Sequence, residues 1–166
     1  MRKAIVMWLA LLLVVPLTGC AKAAEKVAEK TIENASGGDA NVDLSNNGGT
    51  VKIETSEGSA TYGGGEIPGS IDITFPSGGT VLVSTDSATE ASVMVQYEGA
   101  NFDDIVASFQ NWVDDSGDEY EPMSVTAGGV QSQTWASEST TIGVQTCSSE
   151  SGEMDAVCVY VTVEKS

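Results

Sequence analysis

The chain contains no histidine, and its 166 residues include seven lysines or arginines against 24 aspartates or glutamates, a formal net charge of −17. From Ile53 to Glu164 there is no lysine, arginine or histidine at all. Each absence removes a class of function. Without histidine there is no usual general base near neutral pH, no ordinary zinc ligand set and no hydrolase triad of the common type. With Lys165 as the one lysine beyond Lys52, Schiff-base catalysis has no buried amine to use. Nucleic acids and bare anionic membranes are bound chiefly through cationic side chains, so the sequence argues against both. Three cysteines without a CxxC spacing leave little for thiol redox chemistry. What remains is an acidic surface. Such a surface is either a solubility adaptation, as to a salty environment, since high net charge keeps a protein dispersed, or a face for a divalent cation or a basic protein partner.

The two cations that open the chain, Arg2 and Lys3, stand before an apolar run from Ala4 to Val15. About a dozen residues is within the ~7–15 of a secretory signal and short of the ~20 that span a bilayer as a helix. Leu17-Thr18-Gly19-Cys20 follows, and it resembles the lipobox of bacterial lipoproteins. The resemblance implies diacylglycerol transfer to the Cys20 sulfur, cleavage after Gly19 and acylation of the new amino group. Acyl chains contribute ~0.8 kcal/mol per buried CH₂, enough for a stable anchor when several insert. Residues 1–19 are then a signal peptide. Its loss removes two cations and no acid, taking the net charge from −17 to −19. Ala21 stands where an inner-membrane retention aspartate would sit, which implies the outer membrane, periplasmic side, in a host with two membranes.

Cys147 and Cys158 are left in a compartment that permits disulfides. TTIGVQTC and AVCVYVTV, set antiparallel with a turn near Ser151-Gly152, bring Cys147 opposite Cys158, Val144 opposite Val161 and Ile142 opposite Val163. That pairing gathers Ile142, Val144, Val159, Val161 and Val163 on one face and both cysteines on the other, and so predicts a structural Cys147–Cys158 disulfide.

Composition divides the mature chain. AKAAEKVAEKTIENASGG is rich in helix formers, with Lys22, Lys26 and Lys30 each followed three residues on by a glutamate; residues 20–38 read as a lipidated, solvated helical stalk. From 39 to 66, NVDLS, TVKIET and SATYG alternate with period two around Asn46-Asn47-Gly48-Gly49 and Glu57-Gly58, a small β-hairpin spacer. Residues 67–166 form the main domain. IDITF, TVLVS and SVMVQY read as strands, then NFDDIVASFQNWVDDSG as a helix, then EYEPMSVTA, VQSQTWA, TTIGVQTC and AVCVYVTVEK as further strands. Phe102, Ile105, Val106, Phe109, Trp112 and Val113 make a continuous helical stripe, with Asn101 as cap, Asp103 and Asp104 in the first turn and Gly117 at the end. One apolar helix face needs a sheet to cover, so the expected class is α+β: a single amphipathic helix packed on an antiparallel sheet. The helix flanked by strand groups, behind a stalk such as AAEKVAEKTIENASGG, is similar to small domains of bacterial envelope lipoproteins of unknown function. That similarity implies fold and location, and transfers no catalytic or binding residue.

Two features invite a chemical reading. DDSGDEYE places Asp114, Asp115, Asp118, Glu119 and Glu121 in eight residues, a candidate Ca²⁺ site by its oxygen donors. The spacing lacks the glycine and terminal glutamate of an EF-hand loop, and the other reading is a hydrated turn. Trp135, alternating with Gln131 and Gln133, reads either as an exposed aromatic that meets a ligand or as packing at a sheet edge. No catalytic residue and no cofactor beyond that candidate Ca²⁺ is implied. The expected function is a membrane-anchored, non-catalytic binding or structural module of the bacterial cell envelope. The alternatives are an acidic inhibitor or immunity-like protein for a basic partner, and a carboxylate-dependent hydrolase of envelope glycans.

Overall fold

The structure, a computed structural model, describes residues 40–46, 50–149 and 152–165. The expected signal peptide, lipobox and helical stalk over 1–38 lie outside the described residues. The elements run β1 (Ala40–Asn46), β2 (Thr50–Thr55), β3 (Gly58–Tyr62), β4 (Thr80–Ser87), β5 (Glu90–Glu98), α1 (Phe102–Ser116), β6 (Glu121–Ala127), β7 (Val130–Ala136), β8 (Thr140–Cys147) and β9 (Ala156–Glu164). Among the described residues the strands form one antiparallel sheet in the order β1-β2-β3-β4-β5-β9-β8-β7-β6. An antiparallel sheet with one helix, mostly β, is the expected α+β class in its broad form. The 39–66 region joins this sheet directly, because β3 pairs with β4 from Gly58↔Ser87 to Tyr62↔Val83.

The chain walks inward from the β1 edge to β5, crosses the sheet in α1, and returns strand by strand from the far edge until β9 lies against β5. Four strand spacings separate β5 from β6, ~19 Å. Fifteen helical residues span ~22 Å. The helix is long enough to make that crossing. Asn101 Oδ1 accepts the Asp103 and Asp104 N–H groups at 2.8 and 3.4 Å, and Gly117, at φ 80°, supplies the left-handed residue that ends the helix.

Strand alternation makes one sheet face apolar, and α1 covers it. Val93, Val95 and Tyr97 of β5, Val157, Val159 and Val161 of β9, Ile142 and Val144 of β8 and Trp135 of β7 meet Ile105, Phe109 and Val113 of the helix. The stretch Ile71–Phe75, expected as a strand, is a correction. Its backbone takes no place in the ladder, yet Ile71 and Ile73 are buried, Asp72 and Thr74 are exposed, and Phe75 meets the Phe109 ring edge-on at 5.7 Å. It is an extended strap over the covered face, following Pro68 and ending at Pro76.

Tyr97 fastens that strap. Its hydroxyl donates to the Pro76 carbonyl at 3.2 Å, and burial pushes its pKa up to about 12. An unfolded tyrosine ionises near 10, so the folded chain holds its proton over a range where the unfolded chain loses it. The stabilisation is complete below about pH 10 and is lost as pH rises toward about 12, on the order of 2 kcal/mol. Denaturation midpoints recorded across that range should fall for the native chain and fall less for Tyr97→Phe. Equal slopes would assign the loss to other groups.

The register of β8 on β9 differs from the expected one by two residues. Cys147 lies opposite Ala156, Val144 opposite Val159 and Ile142 opposite Val161. A shift of two conserves which side chains share a face, so the valines and Ile142 still line the core and both cysteines still lie on the other side. The disulfide therefore joins diagonal neighbours, Cys147 and Cys158, with Cα atoms 5.8 Å apart.

Candidate functional site

The loop from α1 to β6 and the turn from β7 to β8 stand side by side because β6 and β7 are paired from Glu121↔Ala136 to Ala127↔Val130. Between them lies a cleft of about 710 Å³, lined by Asp118, Glu119, Tyr120 and Glu121 on one wall and Ala136, Ser137, Glu138 and Ser139 on the other. The second wall is a hydrogen-bonded turn. Ser137 N–H donates to the Thr140 carbonyl at 2.8 Å, and Thr140 N–H donates to Ser137 Oγ at 3.1 Å. Glu164 N–H donates to the Ser139 carbonyl at 2.8 Å, tying the turn to the last strand. Tyr120 is the one aromatic residue of the lining. Its ring meets Trp112 edge-on at 6.1 Å, while its hydroxyl is buried near the Ser137 and Thr140 hydroxyls without completing a hydrogen bond. Burial raises the Tyr120 pKa; the two hydroxyls oppose that rise and the Asp118 charge adds to it.

The structure divides the five acids of the candidate Ca²⁺ site. Asp114 and Asp115 are exposed on the last turn of α1, where Asp114 accepts the Gln110 side-chain amide at 2.7 Å. Asp118, Glu119 and Glu121 line the cleft. No three acids among the described residues come close enough to hold a metal ion, so the five are not brought together as one ligand set. Two of the five belong to the helix, where Asp114 is held by Gln110 one turn back, and the other three to the chain beyond its Gly117 stop. The cleft gains instead a carboxylate that the run of sequence does not contain, Glu138. Only the β6–β7 register brings Glu138 there, and a linear reading has no signal for it.

Trp135 corrects the reading of it as an exposed aromatic. It is 1% exposed, and its indole N–H donates to Gln110 Oε1 at 2.9 Å, joining β7 to the middle of α1. Trp112, expected in the core, is half-buried against the core's margin. Cys147 and Cys158 are bonded as expected, and Cys20 lies outside the described residues.

The charge balance around the cleft is one-sided. Two cations occur among the described residues, and both are engaged. Lys52 pairs with Glu54 at 2.7 Å; Lys165 pairs with Asp86 and donates to the Ser87 carbonyl at 2.7 Å. No aspartate or glutamate in residues 50–149 or 152–165 is buried. Four exposed carboxylates on two fixed loops can attract a cationic group at a distance and accept hydrogen bonds from it on contact.

Comparison with protein-family models, with curated proteins and with solved structures finds no match. The functional reading therefore rests on this chain's own residues.

Proposed function

We propose that the protein is a lipid-anchored, non-catalytic binding or structural module of the bacterial cell envelope. The observation that carries this reading is Leu17-Thr18-Gly19-Cys20 placed one residue after a short apolar run with two cations before it. Acylated Cys20 becomes the first residue, residues 20–38 form the stalk, and the sheet is displayed beyond it. Attachment through the lipid on Cys20 is the proposed means of retention; among the described residues no helix is long and apolar enough to cross a membrane. In a host with two membranes the anchor sits in the outer one, facing the periplasm. Confinement to a surface raises the effective concentration of the domain for anything else held there, which is what a tethered module contributes.

The cleft favours a second reading, in which the displayed domain covers a basic protein. Asp118, Glu119, Glu121 and Glu138 would receive lysine or arginine side chains there, in the manner of an acidic inhibitor or immunity-like protein. The two readings share the anchor and differ in what the domain meets.

Intact mass of the protein extracted from its native membranes tests the shared part. The expected result is a chain that begins at Cys20 and carries added acyl mass, absent when Cys20→Ala is expressed in its place. A native chain that retains residues 1–19 and carries no lipid would overturn the proposal.

A further inference from the structure

The last strand on the far side of the sheet, β6, carries edge protection only in its first two residues, Glu121 and Pro122, and leaves Met123 to Ala127 without any. An exposed edge offers unpaired N–H and C=O groups to any other strand, and proteins blunt it with charges, proline, bulges or a covering segment. The opposite edge is blunted: β1 carries Asp43 in its sequence and its ladder with β2 is irregular between Asp43 and Asn46. By contrast, β6 is seven residues long, exposed throughout and paired with β7 in unbroken register. No charged residue falls between Glu121 and Glu138, in a chain whose net charge is −17.

The direction of the free backbone groups follows from the hairpin. Gly128 and Gly129, at φ 61° and 85°, make the two-residue turn, so Ala127 and Val130 form a hydrogen-bonded pair and the bonding alternates from there. Gln131 N–H confirms the alternation, since it points away from β6 to Thr146 Oγ1 at 3.0 Å. Pro122, Ser124 and Thr126 therefore direct their backbone groups outward. Pro122 has no N–H to offer, and its place at an outward position costs the β6–β7 ladder nothing. Ser124 and Thr126 offer both groups. Met123 and Val125, 61% and 49% exposed, project from the sheet face opposite the helix.

We propose that β6 is a self-association edge, along which two copies of this chain join antiparallel and continue one sheet across both. A two-fold axis at Val125 pairs Ser124 of each copy with Thr126 of the other through reciprocal hydrogen bonds. It also sets Val125 against Val125 of the second copy, and Met123 beside the second copy's Ala127. The charge pattern selects this occupant. Two copies of an acidic chain repel wherever their carboxylates face each other, and the neutral strip is where they can close. A basic partner would gain nothing electrostatic at that strip and would be drawn to the carboxylates elsewhere. This inference does not depend on the anchor or on the cleft.

Sedimentation equilibrium of the full-length protein in a density-matched non-ionic detergent tests it, at concentrations up to about 1 mM, where even contacts worth ~4 kcal/mol register. The protein mass should move from one copy to two with concentration, and the association should tighten several-fold as salt screens the like charges. Val125→Lys places a charge on the seam, and Ser124→Pro removes an N–H that the β6–β7 ladder does not use. Each should return the mass to one copy while the circular dichroism stays that of the native chain. Val125→Lys alone decides the matter if Ser124→Pro fails to fold. A native chain that remains single at every concentration and salt overturns the proposal and leaves the edge to a strand of another protein. A two-copy mass that survives the lysine substitution also overturns it, since the seam is then elsewhere.

Discussion

Trp135→Ala should lower the unfolding free energy by about 3–5 kcal/mol, a large share of the roughly 5–15 kcal/mol that holds a domain together. The indole is 1% exposed and lies on the covered face beside Ile142, its partner across the ladder. Truncation opens a cavity beneath the helix and leaves the Gln110 side chain without its donor. Trp135→Phe separates the two effects. It keeps most of the apolar contact and loses the N–H bond, for an expected cost of about 1–2 kcal/mol. Urea denaturation followed by far-ultraviolet circular dichroism measures both, with Trp112 still present as a second optical probe. If the alanine variant unfolds within about 0.5 kcal/mol of the native chain, Trp135 is a surface residue and the β7–α1 contact does not hold that end of the sheet.

The same residue shows what a linear reading can and cannot reach. Gln131, Gln133 and Trp135 alternate along one strand face, and two glutamines suggest a wet one. The strand itself is not uniform, because it passes from the exposed hairpin tip at Val130 to the covered core at Trp135. Alternation reports which residues share a side and is silent on how far along a strand the cover extends. The helix was legible throughout, since its stripe, its Asn101 cap and its Gly117 stop are all local signals. Ile71–Phe75 was legible as extended backbone with one buried side. That pattern is the same for a strand in a ladder and for a strap lying over a core, because both bury every second residue.

Parity and register differ in the same way on β8 and β9. Period-two patterning fixes the face on which Cys147 and Cys158 lie, while sliding the strands by two residues leaves every face unchanged. The cleft was the least legible feature. Asp118, Glu119 and Glu121 are adjacent in the chain, but Glu138 reaches them only through the pairing of Glu121 with Ala136. No composition or motif announces a contact made by a hairpin register.

Replacing both Cys147 and Cys158 by alanine should cost about 2–3 kcal/mol, the scale for a bridge that closes a short loop. The separation is 11 residues, and most of the effect should act on the unfolded chain, which the bridge keeps from expanding. The folded loop has other ties. Gln96 Nε2 donates to the Ser148 carbonyl at 2.9 Å, Ser149 N–H to the Glu153 carbonyl at 2.8 Å, and Gly152 N–H to the Ser149 carbonyl at 2.9 Å. The β8–β9 hairpin should therefore keep its native circular dichroism without the bridge, and the urea dependence of unfolding should steepen as the unfolded ensemble opens. Alanine is the right replacement at position 158, because Cys158 is 6% exposed and a serine hydroxyl there would need a partner. Reduction of the native protein by dithiothreitol should give the same loss as the double substitution. Unchanged stability in both experiments would mean that the hairpin's own hydrogen bonds and the Val144–Val159 and Ile142–Val161 pairs suffice, and that the bridge constrains an unfolded state that is already compact.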